Sequence, residues 1–334
     1  MLYLQEPLTS GKLALKNRLV MPPMATAKAE ADGRANQDLI SYYDEKSKGG
    51  YLSLVIIEHS YVSRQGKARY RQLSIAEDSL VDDLKKLADT IHGNGPKTVM
   101  QINHAGSAAE REVTGSDPVG PSPVVNPSKD NSATPRELGK TEIETIVDDF
   151  KKAAIRVKNA GFDGVEIHSA HGYLLNQFLS PITNQRTDEY GGDVAGRIRI
   201  HLEIIRSVRQ AVGEEFPILL RLGAADFMEG GLTIEDSKAA AQAFEKAGID
   251  MLDISGGMCR YTIPGVNEPG YFSPLSKAIK EVVSVPVIVT GGIAKADEAE
   301  AVLRQKRADL IGVGRAILKD SDWAKNAMDY LKDQ

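Results

Sequence analysis

Short apolar runs alternate with longer amphipathic stretches along the whole chain, and this alternation constrains the fold more than any other feature. Parallel strands that are buried on both faces consist largely of Val, Ile and Leu, whereas the helices that cover them keep one polar face. Strands are predicted at 19–24, 53–59, 97–103, 164–169, 218–222, 251–255, 285–290 and 308–313. Helices are predicted at 36–48, 78–93, 141–160, 196–212, 234–247, 274–283, 297–305 and 322–332.

The order of these elements predicts one closed (β/α)8 TIM barrel, an α/β fold. No Pro/Ser-rich linker divides the 334 residues, and no G-x-G-x-x-G motif opens a separate dinucleotide domain. A capping box at Thr141 to Glu144, and caps at Thr233 and Asp297, support the predicted helix starts. We therefore expect residues 1–334 to form a single domain.

Composition excludes several classes of partner. The net charge is −5 and no basic block is present, so neither nucleic acid nor an anionic membrane is expected as a partner. No apolar run approaches the roughly 18 residues of a membrane span, and the N-terminus lacks a secretory pattern. The single cysteine, Cys259, excludes an intrachain disulfide and an iron–sulfur cluster. We expect a cytoplasmic protein with a small-molecule substrate, and a homo-oligomer remains open.

The connections after the third and fourth strands are long, at 104–140 and 170–195. Barrel chemistry is carried by the loops that follow the strands. One alternative is that these loops are tolerated surface insertions. Since long loops inside compact domains are uncommon without a function, we expect them to form walls of an active site.

The fourth strand leads into His168-Ser-Ala-His171-Gly-Tyr173. Two histidines three residues apart could ligate zinc, but no carboxylate or thiolate nearby supplies an obvious third ligand, so no metal is expected. Both could instead be structural histidines. The functional interpretation is that neutral imidazoles donate hydrogen bonds and that Tyr173 delivers a proton.

Two polar residues interrupt predicted strands, Gln101 in Met-Gln-Ile and Arg221 in Leu-Arg-Leu. A buried arginine is costly without an anionic partner. Either a structural carboxylate or an anion on a ligand could supply that partner, and the sequence leaves both open.

The last two strands end in glycine-rich turns, Thr290-Gly291-Gly292 and Gly312-Val-Gly314-Arg315. Loops at these positions commonly bind phosphate in barrels, because glycine lets backbone N–H groups approach and a helix N-terminus adds positive potential. Glycines here can also serve packing alone.

Taken together, these motifs resemble the Old Yellow Enzyme family, also called NADH:flavin oxidoreductases, and the resemblance runs from about residue 3 to residue 330. Further matching stretches are Leu15-Lys-Asn-Arg18, Met21-Pro-Pro-Met-Ala25, His104-Ala-Gly106, Phe178-Leu-Ser-Pro181 and Asn184-Gln-Arg-Thr-Asp-Glu-Tyr-Gly-Gly192.

The resemblance implies noncovalent FMN at the C-terminal mouth of the barrel. Its phosphate is expected at Gly291, Gly292, Gly314 and Arg315. The ring is expected to contact Pro23, Met24, Ala25, His59, Gln101 and Arg221. For Arg221 the resemblance implies the anionic reduced flavin as partner. Ala25 and His59 differ from the residues of many relatives, so the flavin potential is open.

The implied reaction has two half-reactions at one site. NADH or NADPH reduces the flavin, and an α,β-unsaturated carbonyl compound then takes its place. His168 and His171 are expected to bind the carbonyl oxygen, and Tyr173 to protonate the α-carbon. The alternatives are an NAD(P)H oxidase or flavin-binding barrel without an ene substrate, and a cofactor-free phosphosugar enzyme.

Overall fold

A computed structural model describes residues 2–10, 12–130 and 132–332. Eight parallel strands pair in a closed ring, which confirms the predicted barrel. They are β1 (Leu19–Met21), β2 (Leu54–Tyr61), β3 (Lys97–Asn103), β4 (Gly164–Ser169), β5 (Ile218–Gly223), β6 (Met251–Ser255), β7 (Val287–Thr290) and β8 (Leu310–Gly312). The outer helices are α1 (Gln37–Ser47), α2 (Val81–Gly93), α3 (Lys140–Asn159), α4 (Arg199–Val212), α5 (Ile234–Ala247), α6 (Ser273–Lys280), α7 (Ala296–Arg304) and α8 (Trp323–Lys332).

Two strands are shorter than predicted because of proline. The run predicted at 19–24 leaves the ladder after Met21, and the run predicted at 285–290 begins only at Val287. Pro22 and Pro286 lie just outside these strands. Proline has no N–H to donate to a ladder, so the pairing stops beside it.

One of the three predicted caps is correct. Thr233 caps α5, its Oγ1 accepting the N–H of the third residue of the helix at 3.3 Å. The caps predicted at Thr141 and Asp297 are wrong, because both helices begin earlier than expected. Glu142 and Glu298 accept the N–H groups that precede α3 and α7, at 2.9 and 3.0 Å. The carboxylate three residues after the true cap determines each start.

The barrel interior changes from apolar to polar along its axis. A hairpin of Leu8–Ser10 and Leu13–Leu15 precedes the barrel, and its leucines pack with the lower interior layer. That layer contains Val20, Leu54, Ile56, Val99, Leu219, Met251, Ile288 and Leu310. Inward-facing positions recur every two residues along a strand. The next inward positions carry Gln101, Arg221, Asp253 and Thr290, so the layer nearer the C-terminal mouth is polar.

The two long loops lie over this mouth and are joined to each other. The loop after β3 contains a helical turn, Arg111–Thr114, and the loop after β4 contains the helix Leu174–Leu179. Arg186 of the second loop donates to the backbone oxygens of Pro121 and Leu138 at 2.9 and 2.7 Å. In the described ranges, no helix is both long and apolar enough to cross a bilayer.

Candidate active site

Four rings meet at the C-terminal mouth of the barrel. His168 lies near the end of β4, His171 and Tyr173 follow it, and His59 joins them from β2. The ring centroid of His168 lies 5.2 Å from those of both His171 and Tyr173, and that of His59 lies 5.2 Å from that of Tyr173. All four candidate residues therefore belong to one cluster.

The hydrogen-bond network around His59 assigns its tautomer. The Oε1 atom of Gln72 accepts the N–H of Ala68 at 2.6 Å, so the Nε2 atom of Gln72 is the donor toward His59 Nδ1, at 2.9 Å. Burial, and then Arg69, Arg221 and Arg260, lower the pKa of His59 to about 3. The ring is thus neutral at physiological pH, with its proton on Nε2.

His168 and His171 are also neutral. Burial, followed by the neighbouring histidine and Arg221, holds the pKa of His168 well below its usual range. Burial, followed by Arg221 and Arg260, does the same for the pKa of His171. The Nδ1 atom of His168 is buried and has no partner among the described residues. A neutral imidazole of this kind has one N–H to donate.

His171 is held in place by a residue that sequence reasoning missed. Its Nε2 atom lies 2.7 Å from the Oγ atom of Ser255, at the end of β6. The backbone φ of His171 is +61°, a left-handed conformation that costs energy for a residue with a Cβ. Such strain is often found at functional sites, where surrounding contacts maintain it.

A cavity of about 340 Å³ is lined by two rings of this cluster, those of His171 and Tyr173. Tyr173 lines it with only 7% of its surface exposed, and its hydroxyl forms no hydrogen bond within the described part of the chain. The lining comprises Ala68, Arg69, Ala108, Glu110, Ser128, Lys129, His171, Tyr173 and Arg260. Four of these residues come from the long loop after β3. The volume fits a small molecule.

Below the rings, a charged layer fills the barrel. The Nε atom of Arg221 lies 3.3 Å from the Oδ2 atom of Asp253, and both side chains are buried. Arg221 therefore lies within ion-pair distance of a carboxylate of the protein, the first of the two partners that the sequence left open, and the reduced flavin as a partner stays a prediction. Strand register places Asp253 and His168 directly beside Arg221 on the two neighbouring strands.

Gln101 belongs to the same layer. Its Nε2 atom donates to the Oε1 atom of Glu166 at 2.7 Å. Burial raises the pKa of Glu166, Asp253 adds to this effect, and Arg221 opposes it. Burial likewise raises the pKa of Asp253, again against Arg221. The carboxyl groups of Glu166 and Asp253 thus both interact electrostatically with Arg221. Neither residue was singled out from the sequence.

The glycine turns after β7 and β8 are joined through Tyr271, which sequence reasoning also missed. A Cβ atom added at Gly291 or Gly292 would lie 3.0 or 2.7 Å from its ring. The Nη2 atom of Arg315 donates to its hydroxyl at 3.0 Å. Packing against Tyr271 therefore accounts for part of the glycine requirement.

Comparison with known proteins identifies the family. The model of the NADH:flavin oxidoreductase / NADH oxidase family matches residues 3–334. The chain belongs to this family. This confirms the resemblance inferred from sequence and the flavin oxidoreductase class, with FMN and NADH or NADPH as cofactors.

Individual relatives agree with this membership. An NADH oxidase of Thermoanaerobacter brockii is 43% identical over 331 residues, 97% of this chain and 50% of the relative. An NADPH dehydrogenase of Listeria monocytogenes serotype 4a is 39% identical over 96% of this chain and 92% of the relative. A 2-naphthoyl-CoA reductase structure has a TM-score of 0.93 at 29% identity, covering 98% of this chain and 52% of that chain. The chain spans about half the length of the first curated relatives it matches.

The turns after β7 and β8 fit the phosphate of the family's flavin. In the described residues, the backbone N–H groups of Gly292, Gly314 and Arg315 donate no hydrogen bond. Free N–H groups beside a guanidinium form an anion site. Gly314 lies under Met24, since an added Cβ would be 3.1 Å from the Met24 Sδ atom.

The charged layer and the end of β1 fit the flavin ring. The Nη1 and Nη2 atoms of Arg221 donate no hydrogen bond within the described residues, so the guanidinium retains donors for a ligand. Pro23 and Met24 are half-buried after β1, and Ala25 is exposed. Because the carboxyl ends of barrel strands meet at one mouth, the end of β1, His59 of β2 and Arg221 of β5 lie on the same side of the barrel.

Proposed function

We propose that this barrel reduces the activated C=C bond of α,β-unsaturated carbonyl compounds with NADH or NADPH, and that residues 1–334 form one FMN-binding domain. The observation that carries the proposal is the pair His168 and Tyr173, whose ring centroids lie 5.2 Å apart. Both offer hydrogen-bonding atoms that no described residue satisfies. In the overall reaction the alkene gains a hydride from the nicotinamide and a proton from the site, and the nicotinamide leaves oxidised.

The two histidines bind the carbonyl oxygen in this scheme. Neutral imidazoles donate a hydrogen bond without needing a carboxylate to compensate a charge. If the Ser255 hydroxyl donates to the Nε2 atom of His171, the ring proton is on Nδ1 and free for the substrate. Donors fixed before the reaction stabilise the negative charge that develops on the carbonyl oxygen.

Tyr173 supplies the proton to the α-carbon. Its phenol lies in the cavity wall, largely shielded from solvent, and is positioned by packing against His59 and His168. A positioned general acid is worth on the order of 10² to 10⁴ in rate. Solvent restores the proton to the tyrosine after product release.

Bound FMN supplies the two-electron relay between the nicotinamide and the alkene. The residues proposed to hold its ring are Pro23, Met24, Ala25, His59, Gln101 and Arg221. Its phosphate is assigned to Gly291, Gly292, Gly314 and Arg315. A cofactor-free phosphosugar enzyme would need a catalytic lysine or carboxylate facing the cavity. Glu110, the acidic residue of the lining, is instead paired with Lys129 at 3.0 Å.

The similarity to an NADH oxidase raises oxygen as a second electron acceptor. Oxygen needs no carbonyl-binding pair, so the histidine cluster favours an organic acceptor. The similarity to a reductase determined in complex with 2-naphthoyl-CoA supports the same choice.

Anaerobic stopped-flow measurements test the proposal. The purified protein should be yellow, and NADH or NADPH should bleach it. The reduced protein should then be reoxidised anaerobically by 2-cyclohexenone or cinnamaldehyde, with the saturated carbonyl compound as product. Reoxidation by oxygen alone would leave the oxidase function and refute the ene reductase. Colourless protein that takes up no FMN would refute the flavin site.

A further inference from the structure

Two arginines that form no salt bridge within the described residues lie at the mouth of the cavity. Arg69 follows β2 and Arg260 follows β6, and both line the cavity together with His171 and Tyr173. Neither forms an ion pair with a carboxylate of the described residues, and the Nε atom of Arg260 is buried without a partner. Glu110 and Lys129, also in the lining, neutralise each other at 3.0 Å. The two arginines therefore leave the cavity with a net positive charge.

Arg69 and Arg260 affect the pKa values of histidines in the ring cluster. After burial, Arg69, Arg221 and Arg260 are the groups that lower the pKa of His59. Arg260 also lowers the pKa of His171. Positive charge from two separate loops thus converges on the imidazoles that face the substrate.

The turn that carries Arg260 is fixed by specific backbone contacts. Arg260 has a φ of +64°, and its N–H donates to the Gly257 oxygen at 2.9 Å. A Cβ atom added at Gly256 would lie only 2.1 Å from the Arg260 oxygen, so glycine is required there. A non-glycine residue held at positive φ beside an active site indicates a position maintained for function.

We propose that Arg69 and Arg260 form an anion subsite that binds a carboxylate carried by the ene substrate. The inference rests on the proposed ene reduction and specifies its substrate class. A guanidinium matches a carboxylate through two parallel hydrogen bonds, and such charge-assisted bonds are stronger than neutral ones. His168 and His171 hold the carbonyl end of the molecule while the arginines hold its charged end. The volume of about 340 Å³ suits a small enoate bearing a second carbonyl group.

A matched substrate pair tests the subsite on the holoenzyme. Trans-4-oxopent-2-enoate and its methyl ester share one activated C=C bond and differ in charge. The ester is intrinsically the more electrophilic, so preference for the acid must come from the protein. We expect the wild type to favour the acid by at least about tenfold in kcat/KM. Arg69→Gln and Arg260→Gln should each reduce that preference by about tenfold, mainly through KM.

Arg64→Gln is the matched control, because Arg64 lies on the same loop as Arg69 but is exposed and outside the cavity lining. Its preference for the acid should equal that of the wild type. Calorimetric titration of the oxidised holoenzyme with 4-oxopentanoate, the saturated product, measures binding without turnover. It should weaken in both arginine variants and not in the control.

The outcomes are distinct. An acid preference that is absent in the wild type, or unchanged in Arg69→Gln and Arg260→Gln, overturns the subsite. If these variants slow reduction by NADH while the preference persists, the arginines bind the dinucleotide phosphates, which also overturns it. If neither ene compound is reduced although NADH bleaches the flavin, the ene reductase proposal fails, and calorimetry still decides the subsite.

Discussion

Replacing Arg221 by Met tests how strongly Arg221 interacts with Asp253 in the protein and how strongly it interacts with the flavin. Arg221 and Asp253 are 5% and 0% exposed, with 3.3 Å between Nε and Oδ2. Removing one partner of a buried ion pair typically costs about 3–5 kcal/mol, because the other charge is left without compensation. In the apoprotein, where no flavin contributes, Arg221→Met should lower the free energy of unfolding by this amount.

The loss of stability in Arg221→Met should increase with pH. Burial already raises the pKa of Asp253 above its usual value, and Arg221 restrains that rise. Without Arg221 the pKa rises further. A group whose pKa is raised on folding contributes stability at low pH that is lost as pH increases through the folded pKa. The variant should therefore lose least stability at pH 5 and most at pH 8.

A double-mutant cycle in urea provides the measurement. Arg221→Met combined with Asp253→Asn should cost less than the sum of the single changes, because the two residues interact directly. In the holoprotein, Arg221→Met should lower the flavin midpoint potential and Asp253→Asn should raise it. A charge-assisted bond of about 1.5–3 kcal/mol that favours the reduced form corresponds to roughly 30–60 mV for two electrons.

Two results would refute this reasoning. Unchanged stability of apo Arg221→Met at pH 8 would show that Asp253 does not compensate Arg221. Additive stability losses with a potential altered only by Arg221→Met would restore the flavin as the sole partner of Arg221.

Three further predictions concern the ring cluster. Tyr173→Phe should slow enone reduction by on the order of 10² to 10⁴ and leave reduction by NADH nearly intact in stopped-flow traces, and equal losses in both would indicate a structural role. Because the pKa values of His168 and His171 lie well below the usual 6.5, these imidazoles should not titrate in the enone half-reaction between pH 6 and 8, and a break there that persists in Asp253→Asn would contradict neutral imidazoles. Ser255→Ala removes the 2.7 Å partner of His171 and should lower kcat/KM for the enone by about tenfold, with recovery in Ser255→Thr.

The barrel could be predicted because its signal is distributed over every strand. An error at one run, such as 285–290, does not change the order of elements. The local errors have identifiable causes: Pro22 and Pro286 interrupt pairing, and the sequence displays both. The helix starts were harder, because Thr141 and Glu142 are equally plausible members of a capping box until the direction of the preceding chain is known.

Site residues that lie close together in the sequence could be predicted. Residues that meet only because neighbouring strands bring them together could not. His168, His171 and Tyr173 adjoin in sequence, whereas Ser255 reaches His171 only through the barrel register. A usable signal for Asp253 existed, since Leu-Asp-Ile has the same pattern as Leu-Arg-Leu around Arg221. Tyr271 and Arg260 lie in irregular loops, where no periodicity indicates direction.

Several buried polar atoms of the barrel have no hydrogen-bond partner in the protein, and binding of a cofactor explains why the fold tolerates them. Buried atoms that form no hydrogen bond within the described residues include Arg221 Nε, both Asp253 carboxylate oxygens, Glu166 Oε2, His168 Nδ1 and Thr290 Oγ1. All lie in the polar layer of the barrel interior, between the lower apolar layer and the C-terminal mouth. Each such atom costs about 1–3 kcal/mol, and a fold of marginal stability bears several only where binding repays the cost. The upper layer is therefore the part of the barrel that FMN binding should stabilise most, and its amides should gain the most hydrogen-exchange protection when the cofactor is added to apoprotein.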